Sequence, residues 1–121
     1  MTPSGKSVFY FGIYGILAGL SFLVLPEKII VLTQLPEISI GWARTIGLLA
    51  LVIGTYDIVC GRADLKLFIK ASIYVRLGFA LGATLLFVSG QMPFTVILLG
   101  AVDALGALWT ALALKSYAIE N

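Results

Sequence analysis

The sequence predicts an all-α membrane protein, a four-transmembrane-helix bundle with a short interfacial helix between the first and second crossings. Three observations predict it. Hydrophobic residues make up 60% of the chain and charged residues only 12%, about half the charged share of a soluble domain. The mean hydropathy is +1.08. The apolar residues gather into four runs, about 8–25, 41–60, 71–89 and 94–114, each near the ~20 residues that a helix needs to cross a hydrocarbon core. These crossings use up the 121 residues as a single domain, 1–121.

The first run, Val8 to Leu25, follows Lys6 and has the length of a secretory signal core. No small-x-small cleavage site precedes Pro26-Glu27-Lys28, so it is expected to be retained as a crossing. Gly12, Gly15 and Gly19 mark a close-packing face, with Gly15 and Gly19 a GxxxG pair. Tyr10 and Tyr14 share one face of the same helix. Beyond it, Leu25-Pro26-Glu27 returns as Leu35-Pro36-Glu37, with Ile29 to Leu32 apolar between them. Proline suits the first helical position and glutamate the positive end of the helix dipole. A segment this short cannot cross a bilayer, so it is expected to lie at the interface.

The second crossing opens on Trp42, a residue suited to the headgroup level. Gly47, Gly54 and Gly61 recur every seven residues, and Ala50, Gly54, Asp57 and Gly61 form a small-residue stripe carrying one acid. The next connection is the most basic, with Arg62, Lys66 and Lys70 against Asp64. The third crossing carries Arg76 and a second GxxxG pair, Gly78 and Gly82, and Gly90-Gln91-Met92-Pro93 is a tight uncharged turn. On the fourth, helical spacing places Gly100, Asp103, Ala107 and Thr110 on one face. Gly15, Gly19, Gly47, Gly54, Gly78, Gly82 and Gly100 are therefore the expected helix-packing positions. Trp109, in the inner third of its helix, is expected to anchor packing or an interface.

Lys6, Arg62, Lys66, Lys70 and Lys115 fall on one side of such a bundle and only Lys28 lies in a loop on the other. By the positive-inside rule both termini are expected in the cytoplasm. The basic residues form no stripe, so nucleic acid is not an expected partner; the lipid bilayer is. There is no histidine, and Cys60 is the single cysteine. An intrachain disulfide is excluded, and the usual metal-ligand sets are missing, so neither a metal nor a cofactor is expected.

Arg44, Asp57, Arg76 and Asp103 form the expected buried charge network, because ionisable groups at membrane depth are costly and must be partnered or functional. At a rise of ~1.5 Å per residue, Arg44 stands roughly 5 Å below the outer end of its helix and can snorkel. Asp57 and Arg76 reach similar depths near the inner side, which makes an ion pair between them natural. Asp103 lies nearest the midplane, within reach of either arginine. Two readings are open: the charges clamp helix register, or Asp103, with Arg76, Tyr14 and Thr110 near it, forms a ligand or proton site.

Several stretches resemble a known family. Ile16-Leu17-Ala18-Gly19 with Pro26-Glu27, Ala43 to Leu49 leading to Gly54, Val75-Arg76, and Asp103 to Thr110 together resemble small four-helix bacterial inner-membrane proteins of the DoxX-like and BphX-like type. The resemblance implies a four-helix bundle with arginines in the second and third helices, located in the bacterial inner membrane. Three functions are compatible with these features. The first is an accessory or scaffolding component of a larger membrane complex or self-oligomer, which suits the small loops and the lack of catalytic side chains. The alternative is a small oligomeric proton-coupled transporter or channel using Asp103. The third, a membrane enzyme acting on lipid or quinone, would have to work with Asp, Arg and Tyr alone. No catalytic residue is expected, and an enzyme is the lesser expectation.

Overall fold

The structure is a computed structural model that describes residues 1–34 and 38–120, with side chains as far as 115. Among the described residues the chain is all helical, in five helices: α1 (Pro3–Val24), α2 (Pro26–Thr33), α3 (Ile40–Arg62), α4 (Lys66–Val88) and α5 (Thr95–Glu120). Four of them are long and apolar enough to cross a membrane. The repeated phrase Leu35-Pro36-Glu37 lies outside the described residues.

The helices overrun the apolar runs where polar residues supply ends. α1 starts at Pro3 because Thr2 caps it: its hydroxyl accepts from the Gly5 N–H at 3.1 Å, and Pro3 occupies the first turn, where no N–H is needed. Ser39 does the same for α3, accepting from the Trp42 N–H at 3.1 Å. α4 begins at Lys66, five residues before the apolar run, since only residues 63–65 are needed to turn the chain. α2 ends on Gln34 in the left-handed conformation, φ 58°, with its N–H returned to the Ile30 and Val31 carbonyls. The Thr95 hydroxyl donates to the Thr33 carbonyl and ties the start of α5 to the end of α2.

The most extensive packing between any two helices is that of α1 on α3. These antiparallel helices meet through three opposed glycine pairs: Gly5 with Gly61, Gly12 with Gly54, and Gly19 with Gly47. Each partner is seven residues from the next, one heptad, so the seam stays aligned along both helices. A Cβ on Gly12 would stand 2.7 Å from the Gly54 carbonyl oxygen, and one on Gly19 2.7 Å from that of Gly47. Gly15 lies on the same seam, where its Cβ would be 3.2 Å from the Gly54 Cα.

α4 packs on α5, and α5 in turn on α1. Gly100 sits against Ala83 and Ala80 at this second seam, and Ala83 is buried. Phe87 and Phe94 close the turn between the two helices edge to face, with ring centroids 5.8 Å apart, and Gly90 takes the positive φ of 81° that the turn requires. Tyr10 and Trp109 stack across α1 and α5. Gly78 and Gly82, expected to pack, meet nothing among the described residues: no atom of these stands within 4 Å of where their Cβ would be. The side-by-side order is therefore α3, α1, α5, α4, and α3 and α4 scarcely touch.

At the α3–α4 end the N-terminal turn is clasped. Asp64 Oδ1 accepts from the Thr2 N–H at 2.9 Å and the Thr2 hydroxyl at 2.8 Å, while Lys66 Nζ donates to the Ser4 hydroxyl at 3.3 Å. Desolvation pushes the Asp64 carboxyl up, but the Thr2 hydrogen bonds, together with the charges of the N-terminal ammonium and Lys66, outweigh it and hold it below the usual carboxylate range. Its contribution to stability is complete above the unfolded-chain pKa and is lost as pH falls through the lower folded value.

The glycine seam can be tested in detergent by thermal unfolding. Gly54→Ala places a methyl 2.8 Å from the Gly12 carbonyl and 2.9 Å from the Ile16 nitrogen, both backbone atoms that cannot move aside. It should cost about 1–3 kcal/mol as an overpacking change. Gly78→Ala and Gly82→Ala should leave the midpoint unchanged or raise it, because a helical glycine is ~0.5–1 kcal/mol worse than alanine. Equal loss for all three variants would contradict this packing.

Candidate functional site

The gap left between α3 and α4 is a cleft of about 350 Å³, backed by α1 and α5. Its walls are apolar and aromatic, with Phe11, Tyr56, Phe68 and Phe79 among them, and its polar groups are Asp57, Arg76, Asp103 and Ser72. The volume falls at the small end of the ~300–1,000 Å³ usual for small-molecule pockets.

Arg76 is the centre of the site and is only 6% exposed. Its Nε donates to the Ser72 carbonyl at 3.2 Å, one turn back on α4. Nη2 donates to the Ser72 hydroxyl at 2.9 Å and to the Thr110 hydroxyl of α5 at 3.0 Å. Thr110 is fully buried and shares a hydrogen bond of 2.7 Å with the Ser7 hydroxyl of α1. The guanidinium also lies over the Phe11 ring, 4.7 Å from its centroid. One side chain thus joins three helices.

Nη1 is buried and has no hydrogen-bond partner among the described residues. An unmet charged donor costs more than the ~1–3 kcal/mol of a neutral one, so this nitrogen calls for an acceptor. The expected ion pair does not supply it: among the described residues, no ion pair joins Arg76 to Asp57 or Asp103. Both carboxylates line the same cleft and interact with Arg76 electrostatically across it. The reason is local. Ser72 and Thr110 hold the guanidinium back against α4 and α5, and the separation of α3 from α4 keeps Asp57 away.

Of the four charges singled out in the sequence, the structure brings three together. Arg44 stands apart, 13 residues along α3 from Asp57, or roughly 20 Å at ~1.5 Å per residue. It is exposed, and its Nε donates to the Leu23 carbonyl at 3.3 Å, one of the four carbonyls that the end of α1 leaves unmatched. A cation there also suits the negative end of the α1 dipole. Arg44 is therefore a helix cap, and it does not reach Asp103.

Among the remaining candidates, Thr110 bonds Arg76 directly, as above, whereas Tyr14 interacts with Asp103 only electrostatically and packs its ring on Phe11 at 5.4 Å between centroids. Ser7, Phe11, Ser72 and Gly106 are site residues that the sequence does not single out. Spacing carries a signal for each. Ser72 is four residues before Arg76, Ser7 four before Phe11, and Gly106 lies between Asp103 and Thr110 on their face. Gly106 makes room for the cation–π contact: a Cβ there would stand 2.6 Å from the Phe11 ring and 3.1 Å from Arg76 Nη1.

Comparison with family models, with curated proteins and with solved structures found no match to this chain.

Removing the hydroxyl that holds Nη2 tests the hub. Thr110→Val keeps the side chain's shape but strips Arg76 and Ser7 of a partner, and should lower stability by about 1–3 kcal/mol in thermal or denaturant unfolding. Thr110→Ser should restore most of it. A neutral Thr110→Val would show that these hydrogen bonds do not hold Arg76.

Proposed function

We propose that this chain is a four-span integral membrane protein of the bacterial inner membrane, with both termini cytoplasmic, that works as a small carrier. The cleft between α3 and α4 is its binding site, and a small amphiphilic molecule enters it sideways from the bilayer. Four helices long and apolar enough to cross support the membrane placement, and the excess of Lys6, Arg62, Lys66, Lys70 and Lys115 over Lys28 supports the orientation. The resemblance to DoxX-like and BphX-like proteins supports the inner membrane.

The observation that carries the reading is a cleft that presents Arg76, its buried Nη1 unmatched, and two carboxylates that no ion pair joins to it among the described residues. A register clamp would join such groups to one another. Groups held apart around an open volume are suited to a guest that lodges between them and offsets the charge they leave uncompensated. The aromatic and aliphatic walls suit the guest's apolar part, and the opening needs no path through water.

A second reading, an accessory component of a larger assembly or a self-oligomer, is favoured by Gly78 and Gly82. Their open face on α4 would let a neighbouring helix approach closely.

Native mass spectrometry on protein released gently from its own membrane separates the two. The carrier reading predicts a non-covalent small molecule on the wild-type chain that is lost in Ala71→Trp, where the indole fills the cleft wall, with thermal stability kept. A wild-type chain that carries no small molecule and comes out only in a stable larger assembly would contradict it.

A further inference from the structure

If the cleft carries a small molecule, as proposed above, its charges and its walls together narrow that guest's chemistry. Arg76 keeps one positive charge at every accessible pH. Asp57 and Asp103 offer up to two negative charges to the same cavity. One carboxylate is offset by the arginine, and the other must be offset by a proton or by a cation from outside, because an uncompensated charge at this depth is costly.

The cavity's other residues bear on which cation fits. A hard metal ion needs six or more oxygens for calcium, or a near-octahedral shell for magnesium, and this cleft adds to the carboxylates only the Ser72 and Tyr56 hydroxyls. Four aromatic side chains from three helices, Phe11 of α1, Tyr56 of α3, and Phe68 and Phe79 of α4, surround the space instead. Aromatic faces attract organic cations, more so where water is excluded. The remaining wall, with Ile53 and Val75, is apolar and suits a lipophilic body.

We propose that the cleft binds a lipophilic organic monocation and exchanges it for one proton. In the empty site one carboxyl keeps its O–H. As the cation arrives that bond breaks, the proton leaves to water, and the carboxylate pairs with the cation, so the charge of the site is the same before and after. The other carboxylate stays across the cleft from Arg76, whose charge offsets it. The groups facing Asp103 are Arg76 of α4, Asp57 of α3 and Tyr14 of α1, and those facing Asp57 are Arg76 and Asp103. No second cation stands among them.

Tetraphenylphosphonium, tetraphenylborate and triphenylphosphine oxide are bulky aryl probes of positive, negative and zero charge. Equilibrium dialysis of the whole detergent-solubilised chain against each, over a pH series and with a pH indicator in weak buffer, reads affinity and proton release together. Tetraphenylphosphonium should bind, release close to one proton per cation, and tighten about tenfold per pH unit while the carboxyl is protonated. Ala71→Trp should abolish that binding, which separates the cleft from the micelle. Asp57→Asn or Asp103→Asn should remove the pH dependence with at least a tenfold loss of affinity, and the corresponding Glu variant should recover it. Tetraphenylborate or the neutral oxide binding in its place, or tetraphenylphosphonium binding with no pH dependence, would overturn the cation-for-proton inference while leaving the carrier reading standing. Tetraphenylphosphonium binding that persists in Ala71→Trp would overturn it too. Should no probe bind, the inference fails, and the native bound mass then decides whether the carrier reading fails with it.

Discussion

A guanidinium that can never be neutralised is buried where α1, α4 and α5 meet, and the arrangement around it follows from that. Arg76 cannot shed its charge as a carboxyl or an amine could, so the protein has to surround it with acceptors and polarisable groups. It does so with hydroxyls, from Ser72 on its own helix and Thr110 on the next, and with the face of Phe11. Ser7 extends the chain of hydroxyls into α1. Neutral acceptors fix the position of the cation and leave its charge in place, so its field still reaches Asp57 and Asp103 across the cleft. A closed ion pair would have used up that field.

The glycine seam determines where the opening lies. Because Gly5, Gly12 and Gly19 let α1 sit directly on Gly61, Gly54 and Gly47, α3 is committed to α1 along its length. α5 takes another side of α1, and α4 follows α5, which leaves α3 and α4 as the two ends of an open row. Asp57 is carried by one end and Arg76 by the other. The same tight packing that stabilises one side of the molecule therefore holds these charges apart on the other side, and the aromatic residues of α3 and α4 line what is left.

Much of this is legible in the sequence, and what is not has physical causes. The four long helices follow from hydropathy and length, and α2 from Pro26 and Glu27. The heptad of Gly47, Gly54 and Gly61 is visible; its counterpart in Gly5, Gly12 and Gly19 is less so, because Gly5 precedes the apolar run and Gly15 draws the eye to a GxxxG pair. The sequence order of the helices does not state which are neighbours, so Gly78 and Gly82 cannot be told from packing glycines. Depth along a helix puts Asp57 and Arg76 at one level and Asp103 nearer the midplane, but depth says nothing of lateral separation, and among the described residues no ion pair joins any of the three. Arg44 is legible as a residue near a helix end, but its partner there is a backbone carbonyl, that of Leu23, which no side-chain pattern reveals. The serines and Phe11 look ordinary alone, and their meaning depends on which helix faces them.

The central claim is that Arg76 is anchored by hydroxyls, with its buried Nη1 unmatched, across a cleft from two carboxylates that no ion pair joins to it among the described residues. Solid-state NMR of the chain in lipid, with labelled arginine and aspartate, measures it directly through the nitrogen–carbon distances from the guanidinium to the carboxyl groups. In the empty protein neither Asp57 nor Asp103 should come within hydrogen-bond distance of Arg76. A bidentate Arg76–Asp57 or Arg76–Asp103 pair already closed in the empty protein would contradict it.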